Sequence, residues 1–306
     1  MGISQYIKEI GRGPRGSKPL TREQAADLFG QLLDGNVTDL EIGAFCLAMR
    51  IKGETPEEMC GFLDAAHSRM ALFPASDRPV IVLPSYNGAR KLPVLTPLLA
   101  LLLAREGLPV LLHGMRTEAR RTLASDVLLA LGVPALTAPE KIATGSVAHI
   151  ETGYLHAALA RLLKGREVVG LRNAGHSIVK LMNPCAGPAV VVTSYTHPEY
   201  YDMLQATFGA LHMTALLSRG LEGEVATDPR RTPRYDAFVA GVHQLLQEQQ
   251  PGTAADVPGL PTEIDIDTTA RYTQDVLDGR LPVPPALAQQ VEHILHLAAQ
   301  TPPHAP

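Results

Sequence analysis

The chain has 306 residues, 45% of them hydrophobic and 19% charged, and a net charge of −4. This is an ordinary globular composition with enough length for one large core or two smaller ones, and its acidic balance excludes overall charge as a source of attraction to nucleic acid or acidic lipid. The three widely spaced cysteines, Cys46, Cys60 and Cys185, have neither a disulfide framework nor metal-ligand spacing, so buried reduced thiols are expected.

In chain order, residues 1–19 read as an amphipathic start followed by a Gly/Arg/Pro-rich linker at residues 11–18. Thr21 with Gln24 three residues on predicts a capping box, with Leu28, Phe29, Leu32 and Leu33 as the apolar stripe of its helix and Gly35 as its end. A second helix follows Thr38, with Ile42, Phe45, Cys46 and Met49 on one face. A third starts at Thr55, with Pro56 at its first position and Glu57 and Glu58 in its first turn. Residues 1–72 are therefore expected to form an all-helical domain.

From Val80 the pattern changes to short apolar runs alternating with helices. A strand at 80–83 leads through a turn-rich loop (Pro84, Ser85, Asn87, Gly88) into an apolar helix, and then into a second strand at 109–112 and a second loop at 113–116. The helical run 94–104 is broken by Thr96 and Pro97 and is too short to span a bilayer. With no signal-peptide apolar region at the N-terminus, a cytoplasmic location without a membrane partner is expected. Helices are predicted at 121–131, 153–163 and 198–211, and strands at 167–171, 190–193, 214–217 and 224–226. The tail, 302–306, is expected to be disordered. Alternating strands and helices of this kind imply a mainly parallel sheet.

The first βαβ unit has the layout of a phosphate-binding site, because the loop after its first strand meets a helix N-terminus with unpaired amides. Its contents argue against a main-chain pyrophosphate cradle. Only Gly88 permits close approach, Pro84, Pro93 and Pro97 remove donors, and Arg90 and Lys91 stand near the helix start, where cations are disfavoured unless an anion lies between.

Residues 34–39, 43–45 and 50–58 closely resemble the N-terminal domain of anthranilate phosphoribosyltransferase, and the similarity runs on through 113–116, 125–128 and 171–173 to 181–184. It covers roughly residues 20–228. The resemblance implies a small all-helical N-terminal domain (1–72, with a helical contribution from about 153–185) plus a large α/β domain (77–306) with a mainly parallel sheet. This is the nucleoside phosphorylase/phosphoribosyltransferase type, and it carries the expectation of a homodimer formed through the helical domains. The chain departs from the family at its chemistry. The family's glycine-rich loop GTGGDG is replaced by residues 83–88, its Asn-Ile-Ser-Thr motif by 93–96, the lysine and asparagine flanking its His-Gly pair by Leu112 and Met115, and its adjacent Asp-Glu magnesium pair by residues 220–224. Transfer from phosphoribosyl pyrophosphate needs a clamped leaving group, and losing one well-placed donor in comparable sites costs about 2–4 kcal/mol.

This set of changes, with residues 86–90 and 172–177, resembles the YbiB-type branch of the family, which implies sequence-independent DNA or RNA binding along a basic groove. The phosphate- or nucleic-acid-binding candidates are Asn87, Gly88, Arg90, Lys91, Arg116, Arg120, Arg121, Arg172, His176, Ser177 and Lys180. Of these, Arg172, His176 and Lys180 would form one stripe at i, i+4 and i+8 if their segment is helical throughout. The alternative is a glycosyl or phosphoribosyl transferase acting on an unidentified phosphorylated sugar. In that reading His113 and Arg172 are the catalytic candidates, since Arg172 matches the family's acceptor-binding arginine and His113 its active-site histidine. No cofactor is expected; Glu222 and Glu224, which would point the same way on an extended strand, are the pair left for magnesium.

Overall fold

The computed structural model describes residues 2–13, 15–254 and 256–301. Four helices come first: α1 (Ser4–Ile10), α2 (Arg22–Leu33), α3 (Asp39–Lys52) and α4 (Pro56–His67). The last three each begin at a threonine N-cap (Thr21, Thr38, Thr55) inside a complete capping box closed by Gln24, Glu41 and Glu58. Their apolar stripes converge on Phe29, Phe45 and Phe62, whose ring centroids lie 5.1–6.1 Å apart.

The rest of the chain alternates strands and helices: β1 (Val80–Pro84), α5 (Thr96–Arg105), β2 (Val110–Gly114), α6 (Ala124–Ala130), β3 (Ala135–Leu136), β4 (Val147–Glu151), α7 (Thr152–Leu155), α8 (Ala157–Val169), α9 (Ala174–Leu181), β5 (Ala189–Tyr195), α10 (Tyr201–Ala210), β6 (Ala215–Arg219), β7 (Tyr235–Val239), β8 (Val242–Gln247), α11 (Ile266–Leu277) and α12 (Pro285–Gln300). The strands form one sheet in the order β3-β4-β2-β1-β5-β6-β7-β8, parallel except for the antiparallel pairs β6/β7 and β7/β8. Successive side chains of a strand face opposite ways. Thus Val82, Leu111, Val191 and Leu217 join the core that includes the phenylalanines of α2, α3 and α4. Ile81, Val110, Val190 and Leu216 pack on the other face beneath α5, α11 and α12.

Several boundaries differ from the sequence reading. Residues 167–171 are not a strand: α8 continues to Val169, and Gly170 closes it in a left-handed conformation (φ 74°). The Val168-Val169 pair has strand-like residue types, but Val168 is exposed and has no strand neighbour to pack on. Residues 224–226 are not a strand either, because the carboxylates of this segment are drawn into loop contacts described below. The expected helix at 121–131 is confined to α6, and β7 and β8 were not expected. The 302–306 tail, like Pro14 of the linker, lies outside the described residues. Cys46, Cys60 and Cys185 are all free and buried. Among the described residues no helix is long and apolar enough to cross a membrane.

Candidate functional site

The chain leaves β1 for β2 on one side of the sheet and enters β5 on the other, so the strand order reverses between β1 and β5. In parallel sheets a crevice opens at the carboxyl ends of the strands at such a point. Here it is a cleft of about 310 Å³ between the α3–α4 connection and the α/β sheet. Its walls are Arg50, Gly53 and Glu54 from the helical side, Tyr86 after β1, residues from Arg172 to Lys180 around α9, and residues from Ser194 at the end of β5 to Tyr200 beyond it.

The supposed basic stripe is built differently from its spacing. Arg172 precedes the N-cap Asn173, so the helix starts after it, and His176 turns back to close a capping box with the Asn173 amide. His176 is consequently buried rather than solvated. Arg172, His176, Ser177 and Lys180 nonetheless all line the cleft. Arg172 donates to the Asn87 side-chain oxygen, and Lys180 Nζ donates to the Ser194 carbonyl at 2.5 Å.

Burial shapes the chemistry of the cleft. It lowers Arg172, and pushes the Lys180 amine down to about 8 and the His176 imidazole down to about 3. It raises the Glu54 carboxyl. His176 Nε2 and Ser194 Oγ are buried without a hydrogen-bond partner, although both residues face the cavity. A concave site with perturbed titratable groups and unmet polar atoms is arranged to receive a polar ligand. Arg50, Glu54 and residues 194–200 were missed at the sequence level. Their signal was position alone, since residues 194–197 follow a predicted parallel strand at its carboxyl end.

His113 stands elsewhere. It is fully buried on β2, both ring nitrogens lack partners, and burial pushes it down to about 3, leaving a neutral imidazole that does not line the cleft.

The loop after β1 is held by the chain's own carboxylates. Glu224 accepts from Ser85 Oγ (2.6 Å), Thr96 Oγ1 (2.9 Å), the Gly88 amide (2.8 Å) and the Asn87 amide (3.2 Å). Glu222 accepts from the amides of Arg90 (2.8 Å) and Lys91 (2.9 Å). Arg90 and Lys91 therefore stand before α5, not in its first turn, and their main-chain donors are already engaged. This arrangement does not fit magnesium, because the Glu224 oxygens are engaged by donors and the one Glu222 oxygen that accepts no hydrogen bond faces two positive charges, which oppose a divalent cation. Both oxygens of Glu224 face donors, and Glu222 Oε1 faces the guanidiniums of Arg90 and Arg121 at 3.7 and 3.8 Å. Among the described residues no group of three or more His, Cys, Asp or Glu side chains converges as a metal site.

Two of the remaining basic candidates are paired in place: Arg116 with Asp126, and Arg121 with Glu118, which Arg166 shares. Other arginines are paired likewise, Arg230 and Arg231 with Asp228 and Arg234 with Asp236. The Arg90 side chain is 57% exposed, and Lys91 and Arg120 are exposed as well.

The architecture and the cleft can be set beside known proteins. Residues 4–70 match the family model described as the glycosyl transferase family, helical bundle domain. The chain is 37% identical over 298 residues to the Escherichia coli (strain K12) protein named uncharacterized protein YbiB, covering 95% of this chain and 92% of that one. It is 28% identical over 295 residues to the anthranilate phosphoribosyltransferase of Persephonella marina, covering 91% and 83%. Among solved structures, anthranilate phosphoribosyltransferase from Thermus thermophilus superposes with a TM-score of 0.73 at 22% identity, covering 96% of this chain and 87% of that one. The Saccharomyces cerevisiae enzyme in complex with PRPP and Mg superposes with a TM-score of 0.70 at 13% identity, covering 97% and 88%. The helical bundle, the mostly parallel sheet and the full-length similarity agree: the chain belongs to the anthranilate phosphoribosyltransferase-like family, in its YbiB-type branch.

Proposed function

We propose that this chain acts as a glycosyl or phosphoribosyl transferase-type protein whose cleft takes a phosphorylated sugar, held by its phosphate at Arg172 and Lys180 and not by the loop after β1. The observation that carries this reading is the cleft itself: two cations in reach of a buried hydroxyl and a neutral imidazole nitrogen, neither of which has a partner. Sugar hydroxyls satisfy Ser194 and His176, while guanidinium and ammonium groups bind phosphate oxygens by charge-assisted hydrogen bonds. Tyr86, Met203 and Leu204 supply the apolar wall. Similarity to enzymes that use PRPP and Mg supports the transferase class; the self-filled loop argues for a different grip on the substrate than a magnesium-pyrophosphate clamp.

Titration calorimetry with ribose 5-phosphate tests this. Arg172→Ala is expected to weaken binding by about 10- to 100-fold, the worth of one charge-assisted hydrogen bond. Lys180 is charged below about pH 8, so its attraction is present there and fades as pH rises through that value. Lys180→Met should therefore weaken binding at pH 7 and flatten the pH dependence near 8. Absence of saturable binding by ribose 5-phosphate and by phosphoribosyl pyrophosphate, with or without magnesium, would sink the reading.

A second reading, sequence-independent binding of DNA or RNA, is favoured by one observation: the cations at the mouth of the loop, Arg90, Lys91 and Arg120, are exposed. The exposed face of α3, with Leu40, Leu47 and Ile51 at helical spacing, supports a homodimer through the helical domains, which would bring two such mouths into one particle. Fluorescence anisotropy with labelled DNA should then show affinity falling steeply with salt, by about 0.7 to 0.9 log units per contact for each log unit of salt. Arg90→Glu with Lys91→Glu is expected to reduce both the affinity and the slope; an unchanged slope would remove this loop from the interface.

A further inference from the structure

Four main-chain amides and two hydroxyls converge on Glu222 and Glu224 from residues 85–96, and two guanidiniums lie close to Glu222. That donor set is the one a phosphate group requires, because phosphate oxygens, like carboxylate oxygens, only accept. A single residue separates the two carboxylates, so they fill two adjacent lobes of the loop: Glu224 over Ser85, Asn87 and Gly88, Glu222 over Arg90 and Lys91.

The segment that delivers them is held in an unfavourable backbone. Glu222 adopts a left-handed conformation (φ 57°), which costs a non-glycine residue on the order of 1 kcal/mol. The contacts to the loop offset that cost. One of them is incomplete: Glu222 Oε1 is buried and accepts no hydrogen bond, and only the guanidiniums at 3.7 and 3.8 Å face its charge. Glu222 is therefore the weaker of the two internal ligands.

We infer that residues 85–91 remain an anion-binding site, and that their resident ligand is the chain's own 222–224 segment, which competes with pyrophosphate for the same donors. Removing the Glu222 carboxylate leaves the Arg90 and Lys91 amides unpaired beside two guanidiniums, a combination that attracts an external anion. The site is separate from the cleft ligand proposed above, which rests on Arg172 and Lys180.

The test is calorimetry of the full chain with inorganic pyrophosphate in the absence of divalent metal. Glu222→Ala is expected to bind it about 10- to 100-fold more tightly than the unaltered chain. Glu222→Gly, which suits the left-handed backbone, serves as the second variant should alanine disturb folding. Adding Arg90→Ala to either variant should abolish the gain, whereas adding Lys180→Met should leave it in place. A folded Glu222 variant with pyrophosphate affinity equal to that of the unaltered chain overturns the inference, as does a gain that disappears with Lys180→Met and survives Arg90→Ala. Neither result bears on ribose 5-phosphate binding in the cleft, so the two proposals fail separately.

Discussion

Gly114→Ala is expected to destabilise the protein by about 3 kcal/mol or more and to remove the sugar-phosphate binding proposed for the cleft. Gly114 ends β2 with φ 157°, and an added Cβ would lie 1.9 Å from the Ser85 carbonyl oxygen and 2.6 Å from its carbon. Both are backbone atoms, so no side-chain rotation can relieve the overlap. Ser85 is also tied to β2 through its amide, which donates to the His113 carbonyl at 2.8 Å. The loop must shift as a unit, carrying with it Tyr86, which walls the cleft, and Asn87, which accepts from Arg172. Urea unfolding measures the stability loss. Gly43→Ala is the control, because that position sits within α3 with no atom near the new methyl group, and there a gain of about 0.5–1 kcal/mol is expected. A Gly114→Ala variant as stable as the parent would mean that the two loops are not in backbone contact.

Glu58→Ala should cost about 3–5 kcal/mol, the effect of removing one partner of a buried ion pair. The Glu58 side chain is fully buried and that of Lys52 is 9% exposed, with Nζ 2.6 Å from Oε2. Oε2 also accepts from the Thr55 amide, closing the α4 capping box, and Oε1 accepts from the Leu20 amide at 2.9 Å. A single carboxylate thus ties together the end of α3, the start of α4 and the chain entering α2. Alanine leaves two amides unpaired and the largely buried Lys52 ammonium without its counter-charge, holding only the Gly53 carbonyl. Glu58→Gln keeps one acceptor oxygen, although its NH2 would face a donor, and should cost less, about 1–3 kcal/mol. Thermal unfolding ranks the two variants; equal losses for Ala and Gln would show that the charge, which both variants lack, carries the whole effect, and a Gln variant as stable as the parent would show that charge pairing contributes little here. Since Gly53 and Glu54 border the cleft between Lys52 and Glu58, weaker ribose 5-phosphate binding should accompany the alanine variant.

These residues also mark how far the sequence could be read. The three threonine caps were legible because a cap needs only its own residue and the amide two or three positions on. The strands β1, β2, β5 and β6 were legible as short apolar runs, since a parallel strand covered on both faces has no polar side to hide it. Residues 242–247 escaped for the converse reason: β8 is an edge strand, only half covered, in which His243, Gln244 and Gln247 interrupt the apolar residues, so no continuous apolar run marks it. The Val168-Val169 pair misled because β-branched residues favour strands on average, whereas Gly170 ended a helix that packing had already established.

The site was only partly visible. Helical spacing singled out Arg172, His176 and Lys180, yet they share the cleft because α9 starts only after Arg172 and its cap folds His176 inward. Arg50 and Ser194 join them from elements far apart in sequence.

From the sequence alone came the fold class, the three capped helices, the loss of the family's glycine loop and adjacent acidic pair, and the cations left around them. The caps and the cations are properties of residue type and short spacing, and the lost loop and acidic pair follow from the resemblance to the family. Which of those cations keep their charge exposed, and what fills the former phosphate loop, depended on the folded chain. Glu224 reaches the Asn87 amide across 137 residues, and Arg166 meets Glu118 across 48, contacts made only once the strands and loops have been assembled. Pairing and burial act over a few ångströms in space, and the order of residues along the chain does not specify which groups will come that close.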